Sequence, residues 1–428
     1  MVLVLKNFRL VDETIDAYGS VVVEDGIIRE VYSGAAEKKI DCALNNADIV
    51  LNGGAAGMGC NQGGSLVLMP AFVDLHAHFR EPGFSAKETI ESACLAAAAG
   101  GYGTVVCMAN TNPVTDTIAQ AQFIKNRSDT LGLIDLYPAL SLTKGMEGKE
   151  PSEITLLQEN QNKLSSDSNI QNPIRLVSED GKDVVDEKLF LATMTEACRI
   201  GVPVSCHCDL DGENSAAKRA IELGEKTGCR LHIAHVSAKE TAAMIRETKK
   251  NNARLSCEVT PHHIALTEKD AAALGSDSFG RVNPPLRTEE DRRALIGAIT
   301  DGTIDAIATD HAPHTTADKE SGAPGFSGLE TAFAVCYSTL VAPGHIGLSK
   351  LSSLMSAEPA RILSLGKGNG GRGRIAPELR ADFAIVDIRT AWTVDAERFK
   401  SRGKNSPFRG RELHGTIVQT IHNGLCIM

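Results

Sequence analysis

The apolar positions of the chain follow two periodicities that change along its length. Between residues 66 and 314 there are eight short apolar runs rich in β-branched residues, and most are followed by a stretch with helical spacing. Near-continuous hydrophobic strands that alternate with helices are typical of a parallel sheet covered on both faces. Eight such units predict an α/β fold, a closed (β/α)8 barrel of the TIM type. The runs are "LVLMPAFVDLHAH", "TVVCMANT", "IDLYPAL", "IRLVSED", "VPVSCHCD", "CRLHIAHVS", "ARLSCEVTPHH" and "TIDAIATDHAPH".

Two helices between these runs have recognisable ends. In "SAKETIESACLAAAAGG", Ser85 is the expected N-cap, Glu88 follows three residues later, and the helix is expected to end at Gly100 and Gly101. In "DEKLFLATMTEACRIG", the same signals predict a helix from Asp186 to Gly201.

The two ends of the chain differ from this central part. Residues 1–35 and roughly 372–428 contain short alternating strands and turns, which predict a small β-sandwich domain formed from both termini. A Gly-rich insertion at about residues 43–64, including "LNGGAAGMGCNQGG", is expected to be a flexible loop. We therefore expect residues 1–65 and 372–428 to form the small β domain and residues 66–371 to form a metal-dependent barrel.

Composition limits the class of protein. The formal net charge of -10, without a clustered basic stripe, argues against a nucleic-acid-binding surface. The eleven cysteines include no CxxC pair, which suits reduced thiols in a cytoplasm. The N-terminus lacks the features of a signal peptide, and "ESACLAAAAGGYGTVVCMAN" is too polar for a membrane span. We expect a soluble cytoplasmic protein.

Side chains that can bind a metal fall at the ends of the predicted strands, where barrels of this kind carry their chemistry. Since side chains alternate along a strand, the HxH spacing points both histidines of run one to the same side. Imidazole and carboxylate without thiolate suit Zn²⁺ best, with Mn²⁺, Co²⁺ or Fe²⁺ as alternatives. The six residues, which end five of the eight runs, are His76, His78, Asp180, His207, His235 and Asp310.

The remaining histidines and two cysteines beside the ligands are not expected to bind the metal. By the same alternation, His232 and His311 should face away from His235 and Asp310. Cys206 and Cys208, which flank His207, are expected to be small buried hydrophobic side chains. The pair in "EVTPHH", His262 and His263, is expected to be structural or to support the site from behind, and His345, His414 and His422 lie outside the strand-end pattern.

With these residues identified, the sequence resembles the amidohydrolase superfamily and, within it, the class I dihydroorotases. The resemblance covers nearly the whole chain, and the combination of HxHxREPG with DHAPH is specific, whereas the first motif alone leaves hydantoinases and allantoinases open. It rests on "VDLHAHFREPG", "KETIESACLAAAAGGYGTVVCMANTNP", "EDG", "HCD", "LHIAHVSAKE", "EVTPHH", "RVNPPLR", "IATDHAPH" and "GLETA", and on the tail segments "KGNGGRGRIAPELRADFAIVDI" and "KSRGKNSPFRGRELHG".

The resemblance implies a role for each ligand. His76, His78 and Asp310 would hold the more buried of two metals, and His207 and His235 would hold the second. Asp180 would bridge them, because "SEDG" offers no lysine for the carbamylated bridge of many relatives. One or two Zn²⁺ per subunit are therefore expected, with two favoured. The neighbouring Glu179 should face the barrel wall.

The resemblance also implies a set of substrate ligands. A guanidinium group binds a carboxylate with two parallel hydrogen bonds, so Arg80 is expected to bind an acid group of the substrate. A surface salt bridge to Glu81 is the alternative for Arg80, and a turn is the alternative for the asparagines. The loop "SGAPGFSGLE" is one residue shorter than the family's form and lacks its Phe-Gly pair, which alignment replaces with Pro324 and Gly325. The full expected set is His78, Arg80, Asn110, Asn283, His314, Pro324 and Gly325.

The implied activity is that of a zinc-dependent cyclic amide hydrolase. It is the reversible cyclisation of N-carbamoyl-L-aspartate to (S)-dihydroorotate in pyrimidine (UMP) biosynthesis, by metal-activated hydroxide with Asp310 as general acid/base. An allantoinase or hydantoinase is the nearest alternative enzyme. A non-catalytic scaffold for aspartate carbamoyltransferase is the alternative of another class. The expected partners are the small-molecule substrate, a second copy in a homodimer and, as a further option, aspartate carbamoyltransferase, with no nucleic acid or membrane.

Overall fold

The computed structural model describes residues 1–33, 44–54, 66–157, 173–366 and 370–428. Within these ranges no helix is both long and apolar enough to cross a lipid bilayer. The described part has two regions of sheet, an open sheet built from both ends of the chain and a series of short parallel strands between them.

The N-terminal strands begin the open sheet. They are β1 (Val2–Val11), β2 (Asp16–Glu24), β3 (Ile27–Ser33), β4 (Ile49–Asn52) and β5 (Val67–Pro70). β1 and β2 are antiparallel, whereas β4 and β5 both run parallel to β1. Half of the predicted Gly-rich insertion lies outside the described residues; of its span, the structure describes 44–54, which include β4.

Eight strands form the barrel, and every pairing between them is parallel. β6, β7 and β8 form one hydrogen-bonded group, and the five strands from β9 to β13 form another. The strands are β6 (Phe72–Ala77), β7 (Tyr102–Cys107), β8 (Asp135–Pro138), β9 (Val177–Ser178), β10 (Val204–Cys206), β11 (Leu231–Ile233), β12 (Leu255–Val259) and β13 (Ala306–Ile307).

Two isolated parallel bridges close the ring. Leu140 pairs with Val177 and so joins β8 to β9, and Ala77 pairs with His311 and so joins β6 to the segment after β13. The barrel strands are almost entirely buried, as expected for a parallel sheet whose outer face is covered by helices. The eight predicted runs therefore form the closed (β/α)8 barrel.

The first predicted run forms two strands instead of one. β5 pairs with β1 and with the C-terminal strand β14 (Phe383–Thr393), whereas β6 pairs with β7. The division falls at Pro70, which has no amide hydrogen to continue a ladder. The division of the chain into 1–65, 66–371 and 372–428 remains a prediction, and we propose that its first boundary falls after Pro70.

The C-terminal strands complete the open sheet, which the structure confirms as a sheet-rich domain built from both termini. The remaining two are β15 (Glu412–His422) and β16 (Leu425–Cys426). The strand order is β16-β15-β14-β5-β1-β2-β3, and β4 also pairs with β1. The sheet has its own apolar core, which includes Leu3, Phe8, Val21, Leu68 and Phe383.

Helices separate the barrel strands and cover them. The longer ones are α1 (Ile90–Ala99), α2 (Ile118–Leu131), α3 (Glu187–Ile200), α4 (Glu213–Thr227), α5 (Lys239–Lys249), α6 (Pro261–Ala265), α7 (Glu268–Leu274), α8 (Glu289–Thr300), α9 (Thr316–Glu320), α10 (Ala332–Cys336), α11 (Leu348–Ser352) and α12 (Glu358–Ile362). Single turns of 3-10 helix span Lys144–Met146, Glu153–Leu156 and Ala396–Arg398, and π turns span Gly275–Phe279, Tyr337–Val341 and Ser353–Ala357.

One of the two predicted helix starts is wrong. α3 begins after Asp186 and ends at Gly201, as predicted. The N-cap of α1 is Thr89, not Ser85, and Thr89 forms a capping box with Ser92. The physical reason is that Glu88 is fully buried, where its carboxylate binds other partners, so it is not free to complete a capping box with Ser85.

An ionic cluster lies at the amino ends of the barrel strands, next to the terminal sheet. Asp135 accepts hydrogen bonds from Arg372 Nη1 at 2.5 Å and from Arg380 Nη1 at 2.7 Å. Arg380 Nε lies 3.2 Å from Asp382 Oδ2, and His422 Nδ1 lies 3.2 Å from Asp382 Oδ1. These bonds link β8 to the C-terminal segment, so the cluster joins the barrel to the terminal sheet.

Candidate metal centre

The predicted metal ligands meet at the carboxyl-terminal mouth of the barrel. His76 lies on β6 and His78 just beyond it, and the other four follow β9, β10, β11 and β13. Two groups of three have ligand atoms within 4.8 Å of one another. The first is His76, His78 and Asp180, and the second is Asp180, His207 and His235. Asp180 belongs to both groups.

The first group contains short contacts between imidazole and carboxylate. Nε2 of His76 lies 3.0 Å from Asp180 Oδ1 and 3.7 Å from Asp310 Oδ1. Nε2 of His78 lies 3.0 Å from Asp310 Oδ1 and 3.7 Å from Asp180 Oδ2. Two imidazoles therefore face the same two carboxylates, and Asp310 joins the group although it follows a different strand.

The hydrogen bonds made by Nδ1 of each ring determine whether Nε2 carries a proton or a lone pair. Glu258 accepts from His76 Nδ1 at 3.2 Å. Asn110 Nδ2 donates to Asp180 Oδ2 at 3.1 Å, so Asn110 Oδ1 faces His78 Nδ1 at 3.0 Å and accepts its proton. In the neutral ring, each Nδ1 that donates leaves an Nε2 lone pair, which here points at carboxylate oxygens.

The second group consists of two packed histidine rings beside Asp180. The ring centroids of His207 and His235 are 4.6 Å apart, and His235 lies 5.0 Å from His76. Nδ1 of each ring is buried and has no hydrogen-bond partner. Burial and the neighbouring imidazoles hold the pKa of His235 well below 6.5, so this ring is neutral and can act as a ligand.

These residues fit a divalent cation. Lone pairs on His76 and His78 that face carboxylate oxygens repel them unless a positive charge lies between, and buried imidazole nitrogens without partners are costly. Without a cation, protonation is the alternative: burial opposes the charged form of His76, yet Asp180, Glu258 and Asp310 outweigh burial and raise its pKa well above 6.5. The donor set of imidazole and carboxylate matches the ligands of Zn²⁺ and similar ions.

Backbone strain accompanies the ligands. Arg80, His235 and Asp310 have positive φ angles of 59°, 31° and 45°. Non-glycine residues adopt this region rarely, and it is enriched at functional sites. For Asp310, burial opposes ionisation, but without a cation the contact with His78 and the positive charge of protonated His76 hold its pKa well below 3.8. Asp310 is therefore an ionised acceptor at neutral pH.

Sequence reasoning missed two carboxylates that support the ligands. Glu258 on β12 is fully buried and accepts from both His76 Nδ1 and His232 Nε2, the latter at 3.0 Å. Asp74 on β6 accepts from Thr309 N at 2.9 Å and thereby holds the residue before Asp310. Each of the two carboxylates interrupts an otherwise apolar strand, and the sequence could have indicated them for that reason. Asp74 is also two residues before His76 and four before His78, so it lies on the same side of the strand as these histidines.

The residues predicted to point away from the metals have other partners. Glu179 accepts from the backbone amides of Leu142 and Thr143 at 2.9 and 3.0 Å, away from the cluster. His311 lies 3.3 Å from Glu88. Cys206 and Cys208 are buried in the main apolar core. In "EVTPHH", His263 bonds Thr260 and the carbonyl of Pro284, while His262 packs on Phe326.

A cavity of about 220 Å³ opens above the cluster, and the whole predicted substrate set lines it. Five of the six predicted metal ligands also line the cavity, and His76 lies beneath it. The lining consists of His78, Arg80, Asn110, Asp180, Gly181, His207, His235, Asn283, Asp310, Ala312, His314, Pro324 and Gly325.

Arg80 faces this cavity without an acidic partner. Among the described residues no carboxylate lies within ion-pair distance of its guanidinium, and its Nε has no hydrogen-bond partner. Glu81, the alternative partner, accepts instead from the amide of Ile90 at 2.7 Å at the start of α1. Burial lowers the pKa of Arg80 to about 10, so it remains charged at neutral pH. A charged guanidinium that faces a cavity without an acidic partner suits an anionic ligand.

Beside Arg80, the wall is formed by a loop whose backbone comes close to the cavity. Arg80 Nη2 lies 3.4 Å from Nε2 of His314 in this loop. His314 Nε2 donates to the carbonyl of Pro324 at 2.9 Å. Gly325 has a φ of 129°, and a Cβ there would lie 2.5 Å from that of Ala312, so only glycine fits. Asn283 Nδ2 lies across the cavity and donates to Asp209 at 3.3 Å.

A further group of candidate metal ligands lies away from the barrel mouth, and the sequence did not suggest it. Asp135, Asp382 and His422 also have ligand atoms within 4.8 Å of one another. Here the carboxylates already pair with Arg372 and Arg380. Two guanidinium groups neutralise this cluster, whereas no lysine or arginine of the described chain pairs with Asp180 or Asp310.

The fold and the site together define a class of protein. Residues 67–426 match the Amidohydrolase family. The match covers most of the chain, and the chain therefore belongs to the amidohydrolase family.

Curated relatives are similar over almost the full length. A protein named dihydroorotase from Clostridium botulinum is 37% identical over 433 residues, which cover 99% of this chain and 98% of that protein. A dihydroorotase from Acetivibrio thermocellus is 35% identical over 453 residues, covering 99% and 98%.

Solved structures confirm the fold. The L-hydantoinase (dihydropyrimidinase) of Arthrobacter aurescens has a TM-score of 0.84 at 23% identity and covers 99% of this chain and 95% of its own. The dihydropyrimidinase of Brevibacillus agri has a TM-score of 0.81 at 18% identity, with 100% and 95% covered. At these identities the likeness shows the barrel and its sheet-rich terminal domain.

Proposed function

We propose that this amidohydrolase is a dihydroorotase, which interconverts N-carbamoyl-L-aspartate and (S)-dihydroorotate in pyrimidine (UMP) biosynthesis. The similarity to proteins of that name over nearly the whole chain supports this activity. The observation that carries the substrate assignment is the guanidinium of Arg80, which faces the cavity above the ligand cluster without an acidic partner. Dihydroorotate has a carboxylate beside its ring amide, whereas hydantoin has no matching acid group.

The proposed residue roles follow from the contacts. Arg80, with Asn110, Asn283 and His314, binds the substrate carboxylate, and the backbone of Pro324 and Gly325 forms the neighbouring wall. His76, His78, Asp180, His207, His235 and Asp310 would hold one or two Zn²⁺ ions, and we favour two because Asp180 belongs to both groups of ligands. A bound divalent cation would lower the pKa of water and polarise the carbonyl of the ring amide.

Asp310 is the proposed general acid/base. Its carboxylate lines the cavity, and Oδ1 lies 3.0 Å from His78 Nε2. In hydrolysis it accepts a proton from the attacking water and donates it to the departing ring nitrogen. In cyclisation it accepts the proton of the ureido nitrogen that attacks the side-chain carboxyl, and water leaves.

The assembly and location also remain proposals. We propose a homodimer in the cytoplasm, with association with aspartate carbamoyltransferase as a further interaction. Gel filtration with light scattering, alone and with that enzyme added, measures both.

The decisive assay compares substrates and one variant. The zinc-loaded protein is incubated with dihydroorotate, allantoin and hydantoin, and ring opening is measured for each. Turnover of dihydroorotate alone is expected. In Arg80→Met, we expect the KM for dihydroorotate to rise about tenfold or more, since one charge-assisted contact is lost. Hydantoin as the better substrate of the unmodified protein would refute the proposal.

A further inference from the structure

The cavity wall beside Arg80 is a loop that is anchored by contacts outside the site. This segment, residues 314 to 325, is called the wall loop here; it begins at His314, contains α9 and ends at Gly325. Both of its ends line the cavity. The glycine and proline residues of the loop permit movement. The contacts that hold the loop therefore determine whether it is already ordered before substrate binds.

Lys319 anchors the middle of the wall loop from below. Its side chain is fully buried, and its ammonium donates to the carbonyls of Arg281, Ala323 and Gly325 at 2.9, 2.8 and 3.0 Å. The same ammonium lies 5.4 Å from the ring centroid of Phe326. Arg281 is two residues before Asn283, so one buried charge joins two segments that line the cavity.

Asn405 anchors both ends of the wall loop from the C-terminal segment. Its Oδ1 accepts from the backbone amide of His314 at 3.1 Å, and its Nδ2 donates to the carbonyl of Gly325 at 2.9 Å. Ser327 adds two bonds, from its hydroxyl to Asn405 Oδ1 at 3.2 Å and from its amide to the Asn405 carbonyl at 3.0 Å. A single amide side chain thus spans residues that are eleven apart in the loop.

Neither Lys319 nor Asn405 lines the cavity, so neither is placed to touch substrate. Among the described residues Lys319 has no carboxylate partner, and its three hydrogen bonds are all to backbone carbonyls. A buried lysine used in this way fixes backbone positions with a charge instead of neutralising an acid.

We propose that Lys319 and Asn405 are positioning residues that hold the wall loop and the Arg281–Asn283 segment preset against the substrate. The kinetic part of this inference rests on the proposed dihydroorotase activity, whereas the structural part does not. A preset wall lowers the cost of ordering the site when substrate binds, and it acts mainly on KM.

The test uses two variants and two matched controls in the full-length, zinc-loaded protein. Asn405→Ala removes the amide that spans the loop, and Lys319→Met keeps the apolar stem without the ammonium. Asn126→Ala removes an exposed side-chain amide whose Oδ1 accepts from Gln122 Nε2, and Lys149→Met removes an exposed lysine beside Glu147. Hydrogen exchange of residues 314–327 without substrate and the kinetics with dihydroorotate are measured for each.

Exchange in the wall loop is expected to accelerate about tenfold in Asn405→Ala and in Lys319→Met, and to stay unchanged in both controls. The KM for dihydroorotate should rise about tenfold, with kcat changed less than about threefold. A general loss of folded protein would instead lower the apparent kcat at constant KM.

Unchanged loop exchange in both variants would overturn the proposal, even if the enzyme turns over dihydroorotate normally. If Lys319→Met fails to fold, Asn405→Ala decides, because Asn405 is only partly buried and its loss leaves the core intact. If the unmodified protein does not act on dihydroorotate, the proposed function fails, and exchange alone decides whether the loop is held in this way.

Discussion

At the scale of single residues, the chemistry depends on a carboxylate that touches both the ligand cluster and the cavity. Asp310 is held by His78 and faces His76. Replacing Asp310 with asparagine keeps the size and the hydrogen-bonding shape but removes the proton acceptor. We expect Asp310→Asn to keep its fold and to lose about 10²-fold or more in kcat. Steady-state kinetics with dihydroorotate measures this, and near-normal turnover would remove Asp310 from the role.

Glu258 supports the cluster through a histidine. It fixes the orientation of His76 from behind, and burial opposes its ionisation, but the charges and hydrogen bonds of His232 and His76 lower its pKa to about 2. In Glu258→Gln we expect zinc affinity to fall about 10- to 100-fold, which is typical for a lost carboxylate behind a ligating histidine. Competition with a chromophoric chelator measures the affinity.

The matched control for Glu258→Gln is Glu179→Gln, because Glu179 is also buried in the barrel but bonds Leu142 and Thr143 instead of a ligand. Its zinc affinity should be that of the unmodified protein. Equal losses in both variants would mean that Glu258 acts on overall stability and not on His76.

The ligand cluster could be predicted from the sequence because polar residues that end apolar strands are exceptional. Alternation along a strand then decided which histidines share a side. Glu258, Lys319 and Asn405 could not be found in this way, since they act through long-range contacts: Asn405 is 91 residues from His314. Asp74 could have been found, because it has the parity of His76 and His78.

At the scale of elements, two residues compete as the N-cap of α1, Thr89 in the structure and Ser85 in the prediction from sequence. The structure has Thr89 as N-cap, with its side chain accepting from Ser92 N. Thr89→Ala should lower the free energy of unfolding by about 1 kcal/mol, the usual cost of a lost N-cap. Ser85→Ala, the control at the position that the sequence favoured, should change it by less than about 0.5 kcal/mol. Urea unfolding measures both, and the reverse order would restore Ser85 as the cap.

The strands and their order around the barrel were predictable from eight apolar runs, but their pairing partners were not. "LVLMPAFVDLHAH" looks continuous, yet β5 joins the terminal sheet and β6 the barrel. The partner of β5 is β14, more than three hundred residues away, and local hydrophobicity contains no information about such pairing. Glu88 illustrates the same limit for helices, since its burial against Ser401 and His311 moves the cap.

At the scale of the whole molecule, the ionic cluster under the barrel connects it to the terminal sheet. For Asp382, burial opposes ionisation, but Arg380, His422 and Arg372 outweigh it and hold the pKa well below 3.8. The pKa of Asp135 is also lowered, since Arg372 and Arg380 outweigh the effect of burial. Because both pKa values are lower in the folded state, this stabilisation is complete above about pH 4 and is lost as pH falls through the folded values.

Asp135→Asn therefore has a pH-dependent effect. At pH 7 it leaves two buried guanidinium groups with one fewer carboxylate, and we expect the free energy of unfolding to fall by about 3 kcal/mol. The difference from the unmodified protein should shrink toward pH 3, because the unfolded chain then binds a proton at Asp135 whereas the paired carboxylate of the folded state resists protonation. Urea unfolding at both pH values measures it. The control is Asp129→Asn, which removes an exposed carboxylate that pairs with Lys125 and is expected to cost less than about 1 kcal/mol. A difference that is the same at both pH values would contradict this account.

The central claim is that imidazoles and carboxylates from five strands converge on a divalent cation at the mouth of the barrel. Anomalous diffraction at the zinc edge, from crystals of zinc-loaded protein, tests it most directly. We expect one or two peaks within coordination distance of His76, His78, Asp180 and Asp310 and of Asp180, His207 and His235. A map without a peak there, or with zinc bound only at Asp135, Asp382 and His422, would contradict the account.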